Sequence, residues 1–370
     1  MIDFFGIRQQ KEKIGSSIND AIEKVLNHGN FIMGPEVTKL EDELAKYVGI
    51  SNCITCSSGT DALLMSLMAL DIKRGDAVIT SSFSYIATAE VIELLGAKTY
   101  FCDINENTFN LDYDFLKKVY EIAVKDGHTP KAIIGVDIFG LPARYRVIEE
   151  FAKSKSMYVI EDMAQSFGAE IRGKRAGTFG DIAATSFFPT KPLGCYGDGG
   201  AIFTENENLA DLLKSIRVHG SGENKYDNVR LGLNGRLDTI QAAILLEKLS
   251  LFDNELNKRK ELAEIYRDKI SRNYNFQYIP EDYNSAYALF SLVAESCDKR
   301  KKVMDSLNDK SIPSMIYYPK PLNEQEVFSD LEGLKQKNSE NISQKIFSIP
   351  FHPYLDQTDQ QTIIRILNNV

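Results

Sequence analysis

From about residue 37 to residue 205, short apolar or β-branched runs alternate with stretches of helical periodicity. Seven runs read as strands: Cys53–Cys56, Ala77–Thr80, Lys98–Asp103, Ala132–Phe139, Met157–Glu161, Ala183–Phe188 and Ala201–Thr204. Between and around them, Val37–Val48, Thr60–Leu70, Ala87–Leu95, Asp114–Lys125 and Leu209–Arg217 read as helices. In the first of these, Val37, Leu40, Leu44 and Tyr47 recur at helical spacing, with Pro35 at the entry and Gly49 at the exit. Strands that alternate with helices predict an α/β layer fold with a mostly parallel sheet. The runs AIIGVDIF and MYVIED are almost continuously apolar, as expected of strands covered on both faces.

The texture changes after residue 237. Leu237–Ile270 reads as one long or broken helix, followed by shorter strand-like segments at Ala288–Val293 and Pro313–Tyr318. A boundary near residue 250 follows, giving a large α/β domain (1–250, with an N-terminal arm) and a smaller α+β domain (251–370). A chain of 370 residues suits that division.

Forty-three basic against 52 acidic side chains leave a formal charge of −9, which opposes a nucleic-acid or anionic-membrane partner. Five scattered cysteines do not make a disulfide framework and fit a reducing cytoplasm. Cys53 and Cys56 form a lone C-x-x-C inside a strand-like run, which reads as packing rather than as a metal or redox site. No signal pattern opens the sequence and no apolar run approaches membrane-spanning length, so the expectation is a soluble cytoplasmic protein with no metal.

Three segments carry chemistry. In CSSGTDALLMSLMAL (56–70), a small-residue turn leads straight into a helix, whose free N–H groups and positive dipole end suit a phosphate. A plain N-cap by Ser58 or Thr60 explains the same residues. In MYVIEDMAQSFGA (157–169), Asp162 falls at the carboxyl end of a strand, where open α/β sheets keep their ligands. There it can be a metal ligand, a general base, a partner to a protonated ring nitrogen, or a helix cap. Gln165 follows three residues later. In AATSFFPTKPLGCYGDGGAIFT (183–204), Lys191 sits among apolar and turn-forming residues, where desolvation makes an amine a usable nucleophile toward carbonyls. Ser186 lies five residues before it. The glycine pattern that follows leads into a strand and so is not a dinucleotide fingerprint. One ligand satisfies all three segments: a phosphate for Ser58–Thr60, a basic ring nitrogen for Asp162 and an aldehyde for Lys191. Pyridoxal 5'-phosphate (PLP) has these groups, with Lys191 holding it as a Schiff base.

The segments SSGTDAL, SFSYIATAEVIELLGA, VIEDMAQSFGA, SFFPTKPLGCYGDGGAIFT and NGRLDTIQAAIL resemble the DegT/DnrJ/EryC1/StrS family of sugar-nucleotide aminotransferases over nearly the whole chain. That resemblance implies a fold-type I PLP-dependent transferase with a central, mostly parallel seven-stranded sheet, active as a homodimer. It implies Tyr85 stacked on the cofactor ring, Gly59, Thr60 and Ser186 at the phosphate, Gln165 on the O3′ side and Asp162 at the ring nitrogen. Asn234 matches a residue reaching the phosphate from the neighbouring subunit, and Arg236 one approaching the sugar across the dimer. Tyr317-Tyr318-Pro319 and Phe351-His352-Pro353 match segments near the sugar; His219, in RVHGSG, is a substrate-binding candidate or a hydrogen-bonded structural histidine, and Lys225, Arg230 and Lys320 are candidate partners for a diphosphate or plain surface charges.

The implied reaction moves an amino group from an amino acid, glutamate first, to a keto group on a nucleotide-linked sugar for surface polysaccharide, such as lipopolysaccharide O-antigen. The resemblance favours C3 of a UDP-2-acetamido-3-keto-hexuronic acid, with Arg236 pairing the sugar carboxylate. A UDP- or dTDP-linked keto-6-deoxyhexose is the alternative, since Tyr317 stands where relatives of the first kind carry His. A dehydratase is disfavoured because such relatives replace the cofactor lysine by His. A DNA-binding regulator is disfavoured by the charge and by the lack of a basic recognition helix.

Overall fold

Side chains along a strand point alternately to its two faces, and here both faces are apolar. The structure is a computed structural model describing residues 2–224, 226–331 and 333–370. Three helices lead in: α1 (Ile7–Ile14), α2 (Ser17–His28) and α3 (Pro35–Val48). Then come β1 (Asn52–Cys56), α4 (Gly59–Ala69), β2 (Asp76–Ser81), α5 (Ala87–Leu94), β3 (Lys98–Cys102) and α6 (Tyr113–Lys125). Next are β4 (Thr129–Val136), α7 (Tyr145–Ser154), β5 (Tyr158–Asp162) and a hairpin of β6 (Glu170–Ile171) and β7 (Lys174–Arg175). Strands β8 (Ile182–Ser186) and β9 (Gly200–Thr204) complete the large sheet, followed by α8 (Glu207–Arg217) and α9 (Thr239–Leu249).

Seven strands form that sheet in the order β1-β9-β8-β5-β4-β2-β3, with β9 alone running against its neighbours. Ile54, Val78, Ile134, Ile160 and Ile202 pack on one face with α4, α5 and α8. Val159, Ile133, Ala183 and Phe203 face the other side, covered by α3, α6, α7 and α9. All seven predicted strands are present. Because six of them run the same way, the residues that follow β1, β2, β4, β5 and β8 meet along one edge, the position where such sheets bind ligands. The expected strand Ala132–Phe139 stops at Val136. The Asp137 N–H turns to the Asp162 carbonyl at 3.1 Å, and Phe139 takes a left-handed φ of 59° in a 3-10 turn.

The predicted Leu237–Ile270 helix is broken: α9 ends at Leu249 and α10 (Phe252–Lys269) begins after Ser250 and Leu251. Beyond it lie β10 (Tyr274–Phe276), β11 (Tyr283–Asn284), β12 (Phe290–Ala294), α11 (Cys297–Asn308), α12 (Lys337–Lys345), β13 (Ile346–Ile349) and α13 (Gln357–Asn369). An antiparallel sheet β10-β12-β13 packs with α10, α11 and α13 around Tyr266, Leu292, Phe347 and Ile363. Strand β11 pairs with the β6–β7 hairpin. Pro313–Tyr318 is not a strand; only Met315 bridges, to Ser348. The N-terminal arm docks on this second core, with the Phe351 N–H donating to the Phe4 carbonyl and Gln10 Nε2 to Glu255 Oε1 at 2.9 Å. Among the described residues no helix is long and apolar enough to cross a membrane.

Candidate active site

Ser58 caps α4, accepting the Asp61 N–H on its side-chain oxygen at 3.0 Å. The N–H groups of Gly59 and Thr60 belong to the first turn, which a helix cannot pair internally. Gly59 is pressed against β8: a Cβ there would lie 2.6 Å from the Ser186 Cβ. Absence of a side chain at Gly59 therefore lets the helix start and the Ser186 hydroxyl share one small space. Sequence positions 127 residues apart become neighbours, and they present N–H and O–H donors with the positive end of the α4 dipole, a setting for a phosphate.

Asp162 ends β5 and is only 5% exposed. Its Oδ2 accepts the Thr88 hydroxyl at 2.8 Å and its Oδ1 the Ala164 N–H at 3.2 Å. Thr88 has one proton to give, so the Ser84 hydroxyl 2.8 Å away donates to Thr88 in turn. Burial pushes the Asp162 pKa up, against the hydrogen bonds and the nearby Lys191 charge, which favour the ionised form. Lys191 lies half-buried in the turn after β8, its N–H closed onto the Phe188 carbonyl at 2.9 Å. Burial lowers its pKa and Asp162 opposes that shift. The two charges feel one another, yet no ion pair within 4.0 Å joins them. A cationic ring placed beside Asp162 would supply the counter-charge that burial denies the carboxylate.

Behind Asp162 stand two more buried carboxyls. Asp137 accepts the Ser166 hydroxyl at 2.6 Å, the Tyr145 hydroxyl at 2.7 Å and the Ala143 N–H at 2.8 Å. Burial raises its pKa to about 7. Glu161, on the opposite face of β5 from Asp162, accepts the N–H groups of Gly177 and Phe179, and burial followed by repulsion from Asp137 pushes its pKa well up. These groups hold the turns on which the site is mounted.

Gln165 is committed at both ends: Oε1 accepts the Phe139 N–H at 2.7 Å and Nε2 donates to the Tyr318 hydroxyl at 3.1 Å. Tyr318 packs edge-on against Phe83, and its hydroxyl feels both Asp162 and Tyr85. Tyr85 precedes α5 and is 58% exposed. Tyr317 turns away, its hydroxyl 3.1 Å from the Met315 sulfur. Reading the sequence chose Tyr317 from this tyrosine pair, but Tyr318 is the one that turns to Gln165, and Thr88 was not singled out at all. Thr88 lies in the first turn of α5 and is buried, and Tyr318 depends on how the distant 313–319 segment folds back.

Asn234 and Arg236 are joined to each other, Arg236 Nε donating to Asn234 Oδ1 at 2.9 Å. Their loop reaches the foot of α4, since the Ser57 N–H donates to the Gly235 carbonyl. Exposed His219 runs beside it, its N–H on the Leu233 carbonyl at 2.9 Å. Arg230 bonds the Ser215 hydroxyl, Lys320 Nζ is 3.5 Å from the Glu324 carbonyl, and Lys225 lies outside the described residues. His352 is not among the residues gathered at the sheet edge. It is buried under the N-terminal arm with Nε2 3.2 Å from the Asp3 carbonyl, and burial, followed by repulsion from Arg259, brings its pKa down to about 4. Cys53 and Cys56 are buried in β1, with burial raising both thiol pKa values.

A solved aminotransferase from Brucella abortus superposes on this chain with a TM-score of 0.98 at 41% identity, covering 100% of this chain and 99% of that one. NtdA from Bacillus subtilis, solved with bound cofactor PMP, is 28% identical with a TM-score of 0.90 over 100% of this chain and 84% of its own. A UDP-2-acetamido-2-deoxy-3-oxo-D-glucuronate aminotransferase from Pseudomonas aeruginosa is 43% identical over 100% of both chains. The DegT/DnrJ/EryC1/StrS aminotransferase family model matches residues 12–368. With a match of that extent laid over a sheet edge that gathers Gly59, Ser186, Asp162 and Lys191, the chain belongs to the DegT/DnrJ/EryC1/StrS aminotransferase family.

Proposed function

We propose that this chain is a PLP-dependent aminotransferase that moves an amino group from glutamate to C3 of a UDP-2-acetamido-3-keto-hexuronic acid, for surface polysaccharide. The observation that carries the reading is the juxtaposition of a half-buried lysine, a buried carboxylate and a helix start stripped of side chain at Gly59. The resident residues fit PLP: Gly59, Thr60 and Ser186 hold its phosphate, Asp162 its ring nitrogen and Lys191 its aldehyde carbon. When bound, PLP supplies an electron sink for the carbon that loses its proton.

The protein's own part is placement and proton transfer. Asp162, fixed by Thr88 and the Ala164 N–H, keeps the ring nitrogen protonated. Lys191 Nζ, its proton affinity lowered by burial, takes and returns the proton. Gln165, tied to the Phe139 N–H and the Tyr318 hydroxyl, is held in place for the O3′ side of the ring.

Each site uses two chains in this reading. Support comes from exposed apolar residues that an isolated chain would leave in water, namely Phe31, Ile32, Met33, Phe188 and Leu231. Leu231 lies on the same loop as Asn234 and Arg236, which serve the neighbouring site. The division near residue 250 belongs to the same reading, with the second core carrying the 313–319 segment over the first. The uronate is preferred because the Pseudomonas aeruginosa relative acts on one and is similar from end to end. The test is to incubate the PLP form with glutamate and a panel of UDP- and dTDP-linked keto sugars, and to follow amine gain by mass spectrometry. Amination of the 3-keto uronate is expected; turnover of keto-6-deoxy sugars alone would overturn the substrate.

A further inference from the structure

We propose that Lys248, buried on α9, is a positioning residue for Lys191: its ammonium grips the Gly194 carbonyl and the Tyr196 ring and thereby fixes the turn that carries the cofactor lysine. The inference rests on Lys191 being that lysine.

Lys248 is only 1% exposed, among the largest fully buried side chains of the molecule. Its Nζ donates to the Gly194 carbonyl at 2.6 Å and lies 4.0 Å from the centroid of the Tyr196 ring. Gln241, two turns earlier on the same helix, accepts the Tyr196 N–H on Oε1 at 2.9 Å. One face of α9 thus holds the downstream end of the Lys191 turn at two points. The turn closes on itself through Lys191 N–H to Phe188 carbonyl (2.9 Å) and Cys195 N–H to Phe187 carbonyl (2.8 Å). Gly194 is where it doubles back, since a Cβ there would meet the Phe188 and Pro189 carbonyl oxygens at 2.6 and 2.7 Å. A shift of the Gly194 carbonyl is therefore passed to the backbone on both sides of Lys191.

The chemistry at position 248 is costly for a merely structural part. An ammonium has three donors, and here it has one carbonyl and one ring. No carboxylate lies within 4.0 Å of it among the described residues. The titratable groups that face it are Cys195 and Tyr196 on the gripped segment and Glu255 on α10. Burial takes its pKa down to about 8. A methionine would fill the same space without desolvating a charge. Nor is Lys248 a rival attachment point, because its nitrogen is sealed against Gly194.

The experiment compares wild type, Lys248→Met, Lys248→Arg and Lys191→Ala. Three readouts are taken: thermal unfolding of the cofactor-free protein against pH, the pH titration of the lysine-bound cofactor absorbance, and kcat with KM for each substrate. Wild type should gain stability relative to Lys248→Met as pH rises from about 8 toward 10.5, since over that window the unfolded chain binds the proton that the folded one has lost. Loss of the grip should lower kcat about 10- to 100-fold with KM for the sugar little changed, displace the absorbance titration, and be partly rescued by Lys248→Arg. Wild-type kcat and an unmoved titration in a folded Lys248→Met would overturn the proposal, leaving only a structural role. Should that variant not fold, Lys248→Gln, whose amide stops one bond short of the carbonyl, is read by the same two criteria. If wild type itself shows no absorbance that Lys191→Ala abolishes, the function reading fails instead.

Discussion

The carboxyl edge of the large sheet and the core of the three-stranded sheet both bury side chains, but they are built from opposite materials. Around Tyr266, Leu292, Phe347 and Ile363 the second core is apolar, with its polar atoms tied off locally, as when the Tyr266 hydroxyl donates to the Pro350 carbonyl. At the sheet edge, the carboxyls of Asp137, Glu161 and Asp162 are buried, Asp137 repelling both of the others, and half-buried Lys191 stands near Asp162. Burying charge costs folding free energy, whereas burying apolar surface supplies it. The second region steadies the molecule, and the first holds groups whose proton affinities burial displaces, downward for the Lys191 amine and upward for the carboxyls.

That contrast can be broken in order of expected effect. Lys191→Ala should abolish amine transfer, a loss of at least about 100- to 10,000-fold from the proton-transfer role alone, while thermal unfolding changes little. Phe347→Ala, in the fully buried second core, should lose about 3–5 kcal/mol of stability with kcat per folded site retained; denaturant titration and active-site counting separate the two. Asp162→Asn should lower kcat about 100- to 1,000-fold without a comparable loss of stability, because it removes a charge that burial already disfavours.

His352 sharpens the comparison, since it is a titratable group placed within the apolar region. Its folded pKa of about 4 lies below the ordinary 6.5, so between these values the unfolded chain binds the extra proton. Stability is thus fully present above pH 6.5 and falls by up to about 3 kcal/mol as the pH drops toward 4. Unfolding midpoints against pH should flatten in His352→Gln. The smallest effect belongs to Thr88→Val, which removes one donor from Asp162 and should weaken cofactor retention by about 1 kcal/mol, read by equilibrium dialysis.

Much of this was legible in the residues themselves. The large sheet was readable because AIIGVDIF and MYVIED are continuous apolar runs with turn residues at their ends, and a strand buried on both faces leaves that trace. Strands β10 and β13 were not, being three and four residues long, too short to carry a period. Gly59, Ser186, Asp162 and Lys191 were readable as a set because three separate segments called for one ligand, although capping or packing explains Gly59 or Asp162 taken singly. Tyr318 and Lys248 were hidden for the opposite reason. A tyrosine beside another tyrosine, and a lysine in a helix rich in leucine, look like ordinary surface and core until the fold places one above Gln165 and the other beneath Gly194.

The central claim is that Lys191, and no other amine, takes the cofactor. Reducing the PLP-loaded protein with borohydride, digesting it and sequencing the modified peptide by mass spectrometry tests that directly. The account predicts the pyridoxyl group on the peptide containing Lys191 and none on the one containing Lys248. A label on Lys248 or another lysine, or no label after saturation with PLP, would contradict it.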